Sequence, residues 1–278
     1  MNIGALASQP IGVFDSGVGG LTVLRALRAE LPAESFLYLG DTARLPYGTK
    51  SEHTVARYAL QAADELVERD IKCLVVACNT ASAAALPALQ QRYADLPVIG
   101  VIEPGARAAC AASKSGRIVV LGTDSTVRGG AYPLAIARIR PAAQVTAIAC
   151  AMFVALTEEG WTDGPVVAAV AERYLAPLRE AAAGGPDTLV LGCTHFPVLG
   201  LAIAAAAGPG MCLVDSAATT AASVRNELAA RALLRPGSDG AAASIRCLAT
   251  DDIERFARVS GLFLGQSIAA HEVELIDL

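Results

Sequence analysis

The sequence has an odd number of cysteines and no close motif of them. Seven cysteines are spread over 278 residues at successive gaps of 5 to 43, and no CxxC occurs. That spacing matches neither a zinc module nor a small disulfide scaffold, so most of them are expected to be small buried apolar residues. Charge is also scarce. Lys plus Arg is 22 and Asp plus Glu is 27, a net charge of −5. Such mild acidity leaves no electrostatic footprint for nucleic acid and no basic face for anionic lipid. The three lysines, Lys50, Lys72 and Lys114, sit in no setting that suggests a Schiff base, so pyridoxal phosphate is not expected. No basic residue precedes Arg25, so the charged start of a signal peptide is missing and the cytoplasm is the expected compartment. The longest stretch without Asp, Glu, Lys or Arg, Thr188–Val214, is cut by Gly192, Pro197, Gly200, Gly208 and Pro209. A lipid-exposed helix there would leave backbone groups unsatisfied.

Apolar residues, by contrast, make up 54% of the chain. At this length about three quarters of the unfolded surface is buried on folding, so no staple is needed. Short apolar runs recur at Ile11–Phe14, Phe36–Leu39, Cys73–Ala77, Val98–Val101, Ile118–Leu121, Val145–Ala149, Thr188–Leu191, Met211–Val214 and Ile245–Ala249. Most do not alternate in polarity, the pattern of parallel strands buried on both faces. Between them lie helix-length segments, among them Ser51–Asp70, Val166–Leu178 and Thr220–Leu234. Thr49-Lys-Ser-Glu52 reads as a capping box for the first of these. Pro236–Gly240 reads as a surface loop. The alternation predicts a doubly wound α/β architecture. Cys73–Thr80 echoes Thr188–His195, and Ile11–Gly17 more loosely echoes Ile118–Ser125, as two related α/β lobes would.

In open α/β sheets ligands bind where strands end and helices begin. Cys78-Asn79-Thr80 and Cys193-Thr194-His195 are expected at such points, where helical N–H groups stabilise a thiolate or a carboxylate. For either cysteine alone a buried structural role is the commoner outcome; two in matched contexts favour function. Cys73, Cys110, Cys150, Cys212 and Cys247 are read as structural. Asp15-Ser-Gly-Val-Gly-Gly20 follows the first strand. As a dinucleotide loop it fits poorly, because GxGxxG would need glycine where Thr22 stands. Asp15 suits a small polar ligand or catalysis, together with an N-cap on the next helix. Asp41–Gly48 reads as a turn. His53 and His271 are read as solvent-facing or terminal, and Cys193-x-His195 lacks the second ligand pair a zinc site needs.

Four segments, Asp15–Gly20, Pro46-Tyr47-Gly48, Ala77–Ser82 and Gly192–Pro197, resemble the signatures of the glutamate racemase family in order and spacing. Gly122-Thr123 through Thr126-Val127 to Tyr132, and Cys150–Trp161 with Glu158, resemble further family segments. Ala151 and Ala155 depart from it, standing where the family often has proline.

The resemblance implies two similar doubly wound parallel-sheet lobes with the active site between them. One comprises residues 1–101 and 214–278 and carries Asp15 and Cys78. The other, 102–213, carries Cys193 and His195, and Glu272–Ile276 forms a last small strand or tail. It also implies cofactor-independent, metal-free interconversion of L- and D-glutamate for peptidoglycan. Cys78 would deprotonate the D enantiomer, assisted by Asp15, and Cys193 the L enantiomer, assisted by His195, with Glu158 as a further catalytic residue. Asp15, Ser16, Pro46, Tyr47, Gly48, Asn79, Thr80, Thr123, Thr126, Thr194 and His195 match substrate-binding positions. Glutamate would be the small-molecule partner, with no nucleic acid or membrane partner; a homodimer is the assembly left open. Aspartate racemases share the two-cysteine plan but resemble Cys-Thr-Glu where this chain has Cys193-Thr194-His195. A non-catalytic amino-acid-binding module is the rival of another class, and it would not require two thiols.

Overall fold

The computed structural model describes residues 3–179, 184–236 and 243–278. Every apolar run forms a strand: β1 Ile11–Asp15, β2 Phe36–Gly40, β3 Cys73–Val76, β4 Val98–Gly100, β5 Arg117–Gly122, β6 Gln144–Ala149, β7 Thr188–Gly192, β8 Cys212–Asp215 and β9 Ile245–Ala249. The C-terminal segment adds β10, Val273–Leu275. They build two sheets, ordered β10-β9-β2-β1-β3-β4 and β6-β5-β7-β8, with every pairing parallel. Sheet one carries β1 between β2 and β3; sheet two repeats that arrangement with β5 between β6 and β7. The internal echo is therefore real: each pair of similar segments occupies the same place in its own sheet.

Burial explains why the strands read as continuous apolar runs. All five residues of β1, β2 and β7 are buried, since helices cover both faces. Above one face of sheet one, Leu21, Leu24 and Leu27 pack with Ala217, Ala221, Val224 and Leu228 of the helix Ser216–Ala230. That helix follows β8, so the chain leaves sheet two there and returns to the first lobe. β8 keeps its pairing with β7 through Asp215, so sheet two extends to that residue. In each sheet the chain doubles back at the central strand. Ligands lodge at such switch points, beyond the strands' carboxyl ends. There stand Asp15 and Cys78 in one lobe, Thr123 and Cys193 in the other.

Some local expectations are corrected. The helix Glu52–Glu68 is capped by Ser51, whose side chain accepts from Thr54 N, and Thr49 instead ends a short 3-10 turn. Asp15 does not cap the next helix. Its Oδ2 accepts from Gly17 N at 3.0 Å, and Gly20, the residue before the helix Leu21–Glu30, provides no side-chain cap. The segment expected as a helix over 220–234 begins at Ser216, where Asp215 accepts from Ala217 N, and ends before Ala232, whose φ is 56°. Cys212 is exposed at the edge of sheet two, while Cys73, Cys150 and Cys247 are buried. Lys72 is buried and donates to Glu34, to Ala7 O and to Leu233 O, which satisfies all three of its protons. The loop expected over Pro236–Gly240 lies, beyond Pro236, outside the described residues.

Candidate active site

One cavity of about 200 Å³ opens where the two switch points meet. That is below the roughly 300–1,000 Å³ of sites for drug-sized ligands, a scale that suits a small ligand. Its walls include Ser16, Pro46, Tyr47, Gly48, Cys78, Asn79 and Thr80 from the first lobe. Thr123, Glu158, Cys193, Thr194 and His195 face them from the second. The family resemblance assigned a role to each of these. Asp15 and Thr126 do not line it. Leu45, Thr49, Asp124, Ala151, Val154 and Ala155 do, unsignalled by chemistry because most are small or apolar. The departures at Ala151 and Ala155 therefore lie on the cavity wall.

Cys78 follows β3 and is the N-cap of the helix Asn79–Arg92, its sulfur accepting from Ala81 N at 3.4 Å. Its thiol donates to Ser16 Oγ at 3.5 Å. The expected lowering of this thiol's pKa is not found. Burial, helped by the nearby Asp15, raises it to about 12, outweighing the Ser16 and Ala81 contacts. Asp15 is itself fully buried, and burial raises its pKa although His195 opposes the rise. Its Oδ1 has no hydrogen-bond partner.

Cys193 is not a helix cap. A 3-10 turn, Phe196–Leu199, with Pro197 near its start, separates it from the helix Gly200–Ala207. Its partner is instead the imidazole two residues on, with Cys193 Sγ 3.8 Å from His195 Nδ1. His195 Nε2 stands 3.2 Å from Glu158 Oε1. Arg255 Nη2 then donates to Glu158 Oε2 at 3.2 Å. Burial disfavours the imidazolium, but the hydrogen bonds to Cys193 and Glu158 prevail and raise the His195 pKa to about 10. Glu158 is shifted down: burial opposes this, and His195 and Arg255 overcome it.

Contacts between the lobes shape the rest. Tyr132 OH donates to Asn79 Oδ1 at 2.7 Å, and the buried Asn79 Nδ2 has no partner. Thr80 Oγ1 lies 3.0 Å from Thr123 Oγ1 and 3.2 Å from Thr126 Oγ1, so Thr126 acts behind the wall in a cluster of three hydroxyls. Thr22 OH donates to Thr194 O at 3.1 Å. A Cβ on Gly19 would lie 2.5 Å from the His195 ring, so only glycine lets this loop cross so close. Tyr47 OH donates to Asp41, which also accepts from Arg44 Nε at 2.6 Å and Thr250 Oγ1 at 3.0 Å. Asp41 thus holds the Pro46–Gly48 wall from behind the cavity. Arg255, Tyr132 and Thr22 were not assigned site roles from the sequence, because each acts across a long sequence separation.

A two-lobed α/β fold brings a thiol from each lobe to the wall of one small cavity, and the class into which this chain falls is that of the racemases. A model of the Asp/Glu/hydantoin racemase family matches residues 11–224, and the chain belongs to that family. It is 54% identical to a glutamate racemase of Geobacter metallireducens over 92% of this chain and 93% of that one. Among solved structures it resembles glutamate racemase isoform RacE1 from Bacillus anthracis, with TM-score 0.90, 37% identity, and 97% and 98% of the two chains covered. It also resembles glutamate racemase from Francisella tularensis in complex with D-glutamate, with TM-score 0.88, 33% identity, and 98% of each chain covered.

Proposed function

We propose that the chain interconverts L- and D-glutamate without a cofactor, Cys78 and Cys193 serving as acid and base on opposite faces of the α-carbon. The observation that carries this reading is that each lobe brings one thiol to the wall of the same cavity. Inversion needs a base on one side of the carbon and an acid on the other, and a single carrier of protons would return the starting enantiomer. One thiolate takes the α-proton while the opposite thiol delivers its own, so the roles exchange with direction.

An α-proton is very weakly acidic, so the site must stabilise the carbanion's charge. No lysine or arginine is among the described lining residues, so the substrate carboxylates would rest on neutral donors. Asn79 Nδ2 is one that is buried and unspent. The first turn of the helix Asn79–Arg92 adds N–H groups and a partial positive charge. The substrate ammonium would meet Glu158 and Asp124, both on the cavity wall. On the second-lobe side His195 Nδ1 stands 3.8 Å from the Cys193 sulfur, within reach of its proton.

The D-glutamate bound by the Francisella tularensis relative supports glutamate as substrate. We place the product in peptidoglycan synthesis and the protein in the cytoplasm; no described helix is long and apolar enough to cross a membrane. The lobe division is part of this proposal, at 101/102 and, because β8 stays in sheet two through Asp215, at 215/216 in place of 213/214; so is a homodimer. The test is incubation of purified protein with L-glutamate in D2O without added cofactor. Optical rotation should decay to zero as deuterium replaces the α-proton. Unchanged rotation, or activity that appears only with pyridoxal phosphate, contradicts the reading.

A further inference from the structure

We propose that Arg255 is a positioning residue for the Cys193 half of the site, acting through Glu158 and His195. The proposal rests on the two-thiol reading above and concerns a helix beyond the segments that carry the family resemblance. Ile253–Leu264 also lies beyond the residues matched by the family model, 11–224.

The geometry is a chain of contacts with one end in each lobe. Arg255 Nη2 holds Glu158 Oε2 at 3.2 Å, leaving Oε1 to face His195 Nε2 at 3.2 Å. His195 Nδ1 then faces Cys193 Sγ at 3.8 Å. The same helix touches the relay a second time. The Phe263 ring meets the His195 ring edge to face, with centroids 5.2 Å apart and planes at 75°. Residues eight apart share a helix face, so one helix sets both the carboxylate and the imidazole. Asp252 fixes the start of that helix by accepting from Arg255 N at 3.0 Å. A carboxylate gripped at one oxygen cannot turn its other oxygen away from the imidazole, and the imidazole in turn keeps one nitrogen on the sulfur. No hydrogen bond of this relay reaches Cys78, which is held by Ser16 and Ala81 N, so the loss of positioning falls mainly on the Cys193 side. The Arg255 side chain is 39% exposed, so solvent screens its charge and its main contribution is geometric.

Racemisation cannot reveal one-sidedness in kcat/KM, because enantiomers have equal free energy and the two directions stay equal in any variant. An irreversible half-reaction can. With 3-chloroglutamate, a thiolate takes the α-proton, the C–H pair becomes a Cα–Cβ double bond, and chloride leaves with the C–Cl pair. In Arg255→Ala, kcat for elimination from the L enantiomer should fall about 10-fold, while KM and elimination from the D enantiomer change by less than about 2-fold. Arg255→Lys, which keeps a donor at that point, should recover part of the loss. Equal losses on both enantiomers, or none on either, overturn the assignment of Arg255 while wild-type racemisation leaves the two-thiol reading standing. A wild-type protein inert towards glutamate overturns both.

Discussion

Tyr132 of the second lobe donates its hydroxyl to Asn79 Oδ1 of the first at 2.7 Å, which leaves Asn79 Nδ2 as an unspent donor. The bond decides which way round the amide sits: the oxygen is taken, and the nitrogen is left without a partner. In Tyr132→Phe the buried Oδ1 loses its partner, a penalty of about 1–3 kcal/mol, and the amide is free to turn over. KM for glutamate should rise roughly 10-fold in both directions, with a smaller change in kcat. Unaltered KM would show that Asn79 does not bind through Nδ2.

The fit between lobes is tight at Gly48, where an added Cβ would lie 2.7 Å from Thr123 Cβ. Overpacking of this kind costs about 1–3 kcal/mol unless the neighbours move. The neighbours here are opposite cavity walls. Gly48→Ala should therefore raise KM roughly 10-fold and leave the melting temperature within a few degrees of wild type. Normal kinetics with a large drop in Tm would place the strain inside one lobe.

His195 supplies a pH signature. Its pKa is raised from 6.5 to about 10; burial works against the charged form, and Cys193 and Glu158 more than offset it. A base whose pKa rises on folding stabilises the fold fully below its unfolded pKa and loses that contribution as pH climbs through the folded value. The Tm advantage of wild type over His195→Asn should shrink between pH 6.5 and about 10. An advantage that grows across that window contradicts the assigned imidazolium.

Substrate choice follows from fixed neutral donors. One methylene in a pocket is worth only about 1–3 kcal/mol, whereas donors placed for a side-chain carboxylate are left unpaired when that chain is short. Aspartate should fall behind glutamate by roughly 1,000-fold or more in kcat/KM. Comparable values for the two amino acids would remove the glutamate assignment.

The strands were legible because buried parallel strands are continuous apolar runs, and β1 and β7 are buried at every residue. The two loops bearing thiols were legible from the same rule, since polar residues directly after such runs mark strand ends. The local setting of Cys193 was not, because Pro197 turns the chain into a 3-10 segment before the helix begins. Nor was the high pKa of Cys78, which comes from burial beneath both lobes and from Asp15, both tertiary effects. Arg255 stands 97 residues after Glu158, and no local pattern announces that contact. The first-turn cap at Ser51 was placed two residues early and the helix from Ser216 four residues late, because neighbouring Thr, Ser and Ala offer competing starts.

The central claim is that Cys78 and Cys193 act from opposite faces, and the most direct measurement pairs two variants with two enantiomers. Cys78→Ala and Cys193→Ala should each fold normally, since both sulfurs line a cavity and each substitution removes a single atom. Neither should racemise glutamate, because one face has then lost its proton carrier. Elimination of chloride from 3-chloroglutamate needs only one base, so each variant should keep half of that activity. Cys193→Ala should act on the D enantiomer alone, and Cys78→Ala on the L enantiomer alone. Racemisation surviving in Cys193→Ala, or one variant eliminating equally from both enantiomers, would contradict the two-thiol account.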